Sequence, residues 1–263
     1  MDLQIKDKRA FLAGSSQGLG YAAAKALAKE GCRVAINGRT ESTLMEAAHT
    51  LAEETGVDVY AIPGDVGDPE QAGPIIQQAV DTLGGLDLLL TNAGGPPAGA
   101  FTSFAEDTWQ RAIDLSFMSH VRLIKAALPF LKESPIASVL TVTSYSVKQP
   151  IPNLVLSNSI RSATIGLTKT LALELGGEGI RFNSILPGWT KTDRVIELMS
   201  HRAEQNGTTI EEEIRKQAQD SALGRMGTPE EFGQVAAFLL SPAASYITGT
   251  MLPVEGGLYK GTF

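Results

Sequence analysis

Short, almost continuously apolar runs alternate with helical patterns along nearly the whole chain, and this alternation limits the possible fold more than any other feature. Strands are expected to end at Phe11-Leu12-Ala13 and to cover Arg33 to Ile36, Val57 to Ile62, Leu86 to Leu90, Ser138 to Val142, Arg181 to Leu186 and Met251 to Val254. Helices are expected over Tyr21 to Lys29, Glu41 to Glu54, Pro69 to Leu83, Ala105 to Lys132, Leu156 to Leu175 and Pro229 to Leu240. Runs this apolar leave neither face for water, so they belong in a parallel sheet covered by helices on both sides. No linker, low-complexity tract or repeat divides the chain, which predicts one doubly wound α/β domain over residues 1–263 with about seven strands.

The first strand and first helix are joined by Ala13-Gly14-Ser15-Ser16-Gln17-Gly18-Leu19-Gly20. A strand that enters a glycine turn opening a helix aims free backbone N–H groups and the positive end of the helix dipole at one spot, which suits a pyrophosphate. The second strand ends in Ile36-Asn37-Gly38-Arg39, with no carboxylate before Glu41. An acidic residue about twenty positions past the turn would bind a ribose hydroxyl, whereas an arginine suits a 2′-phosphate. Arg39 therefore favours NADP(H), with NAD(H) possible. Asp65, in Gly64-Asp65-Val66, either accepts from the adenine amino group or caps a turn. In Asn92-Ala93-Gly94-Gly95-Pro96-Pro97-Ala98-Gly99, the Asn92 amide can tie its strand end to a neighbour. The small residues after it admit a cofactor close to the backbone, and the Gly/Pro run should form a loop over the site.

Composition narrows the partners. A net charge of −7 over 263 residues disfavours nucleic acid and anionic membranes. Cys32 is the only cysteine, which excludes an intrachain disulfide and a cysteine zinc site; His49, His120 and His201 lack ligand spacing, so no metal is expected. The charged start of the chain, and the lack of any run of about eighteen uncharged apolar residues, lead us to expect a cytoplasmic protein acting on a small molecule.

Taken together with Thr143-Ser144, Pro187-Gly188-Trp189-Thr190-Lys191-Thr192, Ile247-Thr248-Gly249-Thr250 and Val254-Glu255-Gly256-Gly257, these segments resemble the short-chain dehydrogenase/reductase family. The layout is close to its 3-oxoacyl-carrier-protein reductase-like members, and the resemblance runs from about Leu3 to Leu258. It implies a single Rossmann-like domain, a nicotinamide cofactor and a homotetramer or dimer built on two long central helices. The implied cofactor set is Gly14, Ser15, Ser16, Gly18, Leu19, Gly20, Arg39, Asp65, Val66, Asn92, Ala93, Gly94 and Arg161, with Pro187, Gly188, Thr190 and Thr192 at the nicotinamide end. Gln17 stands where some NADP-preferring relatives carry a basic residue.

The family works with an Asn, a Ser, and a Tyr-x-x-x-Lys pair on one helix turn. Here Ser144 takes the serine position, but Ser157 falls at the tyrosine, Arg161 at the lysine and Ser116 at the asparagine. A literal Tyr21-Ala22-Ala23-Ala24-Lys25 occurs in the first helix, by the pyrophosphate end and far from a nicotinamide. Carbonyl reduction builds negative charge on oxygen, and a tyrosine whose pKa of about 10 is pulled down by lysine supplies the proton. A serine hydroxyl is a far weaker acid, and arginine stays charged and passes no proton on.

The expected reading is an NADP-dependent oxidoreductase of carbonyl or alcohol substrates. Ser144, Ser157, Arg161 and Ser116 form its altered catalytic set, and water or Tyr145 is the proton source. The alternatives are a non-catalytic NADP(H)-binding sensor or scaffold, and a reductase of an activated C=C or C=N bond. Residues from about 193 to 226, with helices over Arg194 to Gln205 and Thr209 to Ala218, form either a substrate lid walled by Ile196, Met199 and Ile214 or a solvated hairpin. Trp189 either touches the ligands or packs; Asp114 reads as a helix-surface carboxylate, and Thr228-Pro229-Glu230-Glu231 as a helix cap.

Overall fold

Successive side chains of a strand face opposite ways, and in β1 (Arg9–Leu12) Phe11 and Leu12 enter different cores. Residues 2–262 are described by the computed structural model, and within them seven strands form one parallel sheet in the order β3-β2-β1-β4-β5-β6-β7. The others are β2 (Arg33–Gly38), β3 (Val59–Pro63), β4 (Leu88–Thr91), β5 (Ser138–Val142), β6 (Arg181–Pro187) and β7 (Met251–Val254). On one face, Leu12, Ile36 and Leu90 pack with Leu27 of α1 (Gly18–Lys29), Leu44 of α2 (Glu41–Thr55) and Phe232 of α9 (Pro229–Leu240). On the other, Phe11, Leu89 and Phe182 meet Ile76 of α3 (Ala72–Leu83) and Ile124 of α5 (Ser119–Leu131), with Ala172 of α6 (Val155–Leu175).

The doubly wound domain expected from the alternation is thus the observed one, and β5, β7 and α9 have the expected bounds. Two helices differ. Pro69 is not helical: the Asp68 carboxylate accepts from the Glu70 N–H at 2.9 Å and the Gln71 amide at 2.7 Å, holding a turn so that α3 starts at Ala72. The single helix expected over Ala105 to Lys132 is divided into α4 (Glu106–Ile113), a π-helical turn (Asp114–Met118) and α5. Side chains take up carbonyls in the widened turn: Ser119 Oγ donates to Leu115 O at 2.6 Å, and Thr164 Oγ1 of α6 donates to Ser116 O at 3.2 Å. Such turns favour functional sites. Asp114 is the surface carboxylate expected, paired with Arg122 at 2.7 Å.

The order in which successive strands are laid down reverses at β1, which lies between β2 and β4. Ligands of open α/β sheets bind at such a switch point, beyond the carboxyl ends of the strands. At the opposite end Asp87, 3% exposed, accepts from the Arg9 N–H and Nε at 2.9 Å, from Arg9 Nη2 at 2.8 Å and from Ser134 Oγ at 2.7 Å. Burial pushes this carboxyl up, but the hydrogen bonds from Arg9 and Ser134 outweigh it and hold it below its ordinary value. Asp87→Ala is expected to destabilise the fold by about 3 kcal/mol in thermal melts at neutral pH. Because the folded carboxyl has the lower pKa, its contribution is present above the unfolded value of about 3.9 and is lost as pH falls through the folded one. The difference between wild type and variant should therefore shrink in acid.

Candidate active site

Gly14 and Gly18 adopt left-handed φ of +57° and +61°, conformations that other residues reach only with strain. A Cβ on Gly14 would stand 2.9 Å from Asn92 O, and one on Gly20 would stand 2.3 Å from Gly14 O. The turn is therefore pressed between the end of β4 and the first turn of α1. Asn92 supplies the tie expected of it, donating from Nδ2 to Gly14 O at 2.9 Å. Asn37 does more than the sequence suggested. Buried at the end of β2, it donates to Ile62 O at 2.9 Å and Gly64 O at 3.1 Å and accepts from Gly14 N–H at 3.3 Å, so one amide aligns three strand ends. A lone polar residue closing an apolar run was its only signal.

A cleft of about 630 Å³ opens at the switch point. Of the expected cofactor set, Gly14, Ser16, Gly18, Leu19, Arg39, Asp65, Val66, Asn92, Ala93, Gly94, Arg161, Pro187, Gly188, Thr190 and Thr192 line it. Ser15 and Gly20 do not. Ser15 is fully buried: its hydroxyl donates to Leu12 O at 2.6 Å and accepts from Asn37 N–H at 3.1 Å, and its own N–H is spent on Asn37 O at 2.8 Å. It clamps the turn from behind, while Gly20 allows α1 its close approach. Asp65 lines the cleft and also closes a turn, accepting from Gly67 N–H at 2.9 Å.

Ser144, Ser157 and Arg161 share this cleft. Ser144 caps the short turn Tyr145–Val147, its Oγ accepting from Ser146 N–H at 3.1 Å. Ser157 and Arg161 stand one turn apart on α6, on the same helix face. Arg161 Nη1 donates to Val142 O at 3.2 Å and Thr143 O at 3.1 Å, which pins the guanidinium to the end of β5. Burial, and then the charge of Arg194, draw its pKa down to about 10. Behind it His120, fully buried, sets Nδ1 2.7 Å from Thr91 Oγ1. Burial and the Arg161 charge push this imidazole down to about 3, so it is neutral at physiological pH. No spacing or motif had marked His120 for a role.

Two expected catalytic residues lie off the cleft wall. Ser116 is 1% exposed within the π-helical turn, and its Oγ has no hydrogen-bond partner among the described residues. Tyr145, unlike Ser144, does not line the cleft and is 8% exposed. Burial raises its phenol pKa, against the indole of Trp189, which favours the phenolate. Trp189 itself packs, with the Arg202 guanidinium 5.5 Å above its ring. The literal Tyr21/Lys25 pair lines a separate groove of about 790 Å³ between α1 and α9, with Lys25 paired to Glu54 at 2.7 Å. Among the described residues that line it, only Tyr21 and Thr192 carry hydroxyls.

Residues 193–226 contain α7 (Asp193–Asn206) and α8 (Ile210–Gln219), packed against each other. The apolar wall expected of this segment is not on the cleft. Met199 is fully buried, Ile196 is exposed and Ile214 half-buried; the residues that reach the cleft are Asp193, Arg194 and Val195. The tail supports the site from behind: a Cβ on Gly188 would stand 2.5 Å from Glu255 Cβ. The Thr228 cap is as expected, with reciprocal bonds to Glu231 of 2.8 and 3.3 Å.

A glycine turn at the switch point of a parallel sheet, joined in one cleft to a hydroxyl pair and a fixed guanidinium, defines a dinucleotide-binding protein of the α/β class. Residues 13–259 match the family described as enoyl-(acyl carrier protein) reductase. Human dehydrogenase/reductase SDR family member 4 is 32% identical over 254 residues, covering 96% of this chain and 88% of the relative. L-Sorbose reductase from Gluconobacter frateurii, solved with NADPH and L-sorbose, superposes with a TM-score of 0.96 at 31% identity, over 99% of this chain and 100% of that one. A short-chain oxidoreductase from Pseudomonas aeruginosa PAO1, solved with NADPH and described as containing an atypical catalytic center, gives a TM-score of 0.85 at 27% identity, over 97% and 98%. The chain belongs to the short-chain dehydrogenase/reductase family of NAD(P)-dependent oxidoreductases.

Proposed function

We propose that this protein is an NADP(H)-dependent oxidoreductase acting on a carbonyl or alcohol substrate, with Ser144, Ser157 and Arg161 at the reacting oxygen. The observation that carries the reading is the convergence of these three residues in the cleft that also holds the glycine turn and Arg39. The residues fit a dinucleotide phosphate. The Gly14 to Gly20 turn offers backbone donors to the pyrophosphate, and Arg39, exposed at the far end, meets the 2′-phosphate. Asn92, Ala93 and Gly94, with Pro187, Gly188, Thr190 and Thr192, hold the nicotinamide half. The NADPH-bound neighbours support the same choice of cofactor.

When bound, the nicotinamide supplies or accepts the hydride. The chain supplies the electrostatics. Arg161 is held by two backbone carbonyls, so its positive charge faces the developing oxyanion without reorganisation. Ser144 and Ser157 donate hydrogen bonds to that oxygen and orient it. Neither hydroxyl is acidic enough to serve as the relay, so water delivers the proton. Ser116 stands behind this layer, and Tyr145 has no part in it.

NADPH oxidation, followed at the nicotinamide absorbance with carbonyl compounds, activated alkenes and imines, tests the reading. Turnover of carbonyl compounds is expected. Turnover of alkenes or imines alone would move the chemistry to a C=C or C=N bond, and NADPH binding without any turnover would make the protein a sensor or scaffold. Arg39→Ala is expected to weaken NADPH binding by about 10-fold to 100-fold in calorimetry, the range of a lost charge-assisted hydrogen bond, and to leave NADH nearly unaffected.

The reading extends to a cytoplasmic homotetramer or dimer. Ser162, Ala163, Gly166, Thr170 and Leu173 leave α6 with an exposed face of mostly small residues, which supports helix packing between copies. Cys32, buried with its thiol pushed up to about 12, suits a reducing compartment. Among the described residues, no helix is long and apolar enough to cross a membrane.

A further inference from the structure

Arg194 is absent from the catalytic set of the family and from every role described so far, yet it reaches the cleft beside the reactive end. A methyl group placed on Gly95 would stand 2.9 Å from both of its terminal nitrogens, so the guanidinium lies against the loop that follows Asn92-Ala93-Gly94. Arg161 approaches the same space from α6, close enough for the two charges to influence each other.

Arg161 is met by two backbone carbonyls and Asp193 reaches the same cleft, but among the described residues no carboxylate forms an ion pair with either arginine. The arginine ion pairs among the described residues are Arg9–Asp87, Arg122–Asp114 and Arg225–Glu231, and neither Arg161 nor Arg194 takes part in one. Arg194 also stands in the first turn of α7, the end of a helix where the dipole disfavours a cation. Arg194 is exposed, and two guanidinium charges sharing one cleft, one of them at a helix end that favours anions, offer an incoming anion a place to bind. The cofactor phosphates have their own donors in the glycine turn and at Arg39. The open demand is at the substrate end, and the planar fork of a guanidinium matches a carboxylate in two parallel hydrogen bonds.

We propose that the substrate is an oxo acid or the corresponding hydroxy acid, its carboxylate gripped by Arg194 while Ser144, Ser157 and Arg161 face the reacting oxygen. This assignment rests on the NADP(H)-dependent reading above. It makes Arg194 the residue that sets specificity, delivered by the helix that borders the cleft.

The test compares oxo acids with their methyl esters in NADPH oxidation, and measures NADPH and oxamate binding calorimetrically, oxamate in the presence of NADP⁺. Wild type is expected to favour acid over ester by about 10-fold to 100-fold in kcat/KM and to bind oxamate. Arg194→Gln should collapse that preference and abolish oxamate binding with NADPH affinity unchanged, and Arg194→Lys should restore part of both. Equal use of acid and ester overturns the assignment, as does a wild type that binds NADPH but neither turns over an oxo acid nor binds oxamate. A loss of NADPH affinity in Arg194→Gln would place Arg194 on the cofactor and overturns it as well. Failure of wild type to bind NADPH is a different result: it removes the cofactor reading and this assignment with it.

Discussion

Arg161→Met is expected to lower kcat/KM by about 10²-fold to 10³-fold, the range seen when a preorganised donor to a developing oxyanion is removed. The expectation comes from how the guanidinium is held. Arg161 donates to Val142 O and Thr143 O, so its position is fixed by the end of β5 before any substrate arrives. Methionine keeps much of the side-chain volume and removes both the charge and the donors. The loss should appear mainly in kcat if Arg161 acts on the transition state, and mainly in KM if it only grips the cofactor ribose or the ground-state substrate. Its pH signature is equally specific. His120 is held down to about 3 and Arg161 to about 10, so between those values neither changes charge, and from them the wild-type rate gains no pH dependence. A variant as active as wild type would move the reactive centre elsewhere in the cleft.

How much of this was readable in the chain depends on which residues are asked about. The sheet was legible because its strands are buried on both faces, so apolar runs mark them without help from neighbours. The turn at Gly14, the tie made by Asn92 and the placement of Ser144, Ser157 and Arg161 followed from local order along the sequence. What failed depends on direction. Ser15 and Tyr145 each sit next to a residue that lines the cleft, yet Ser15 is buried with its hydroxyl on Leu12 O, and Tyr145 is buried at the start of the short turn that Ser144 caps. Ser116 lies in a turn wound by one extra residue, and no helical period in the sequence reports that extra residue. Arg194 and His120 were passed over because their importance is collective. An exposed arginine early in a charged helix draws no notice until its guanidinium is found at the cleft against Gly95, and a histidine without ligand spacing looks inert until it is found buried behind Arg161.

The second large effect is a gain. In the double variant Ser157→Tyr/Arg161→Lys, a phenol and an ammonium would stand one turn apart on α6, restoring the family's relay pair in a cleft that already holds Ser144. With a carbonyl substrate, kcat is expected to rise by about 10²-fold or more, the contribution of a positioned general acid over water. The rate should also acquire a pH dependence that the wild type lacks. Reduction needs the protonated phenol, so activity should be highest below the tyrosine pKa and fall above it. The adjacent ammonium draws that pKa beneath its ordinary value of about 10. Each single change should give much less. Ser157→Tyr leaves a phenol beside a guanidinium that relays no proton, and Arg161→Lys leaves an ammonium with only a serine to act on. The pair is therefore expected to be strongly non-additive in a double-mutant cycle. A double variant that folds and binds NADPH but shows neither the rate increase nor the new alkaline limb would mean that position 157 does not face the reacting oxygen. The catalytic placement of Ser157 would fall with it.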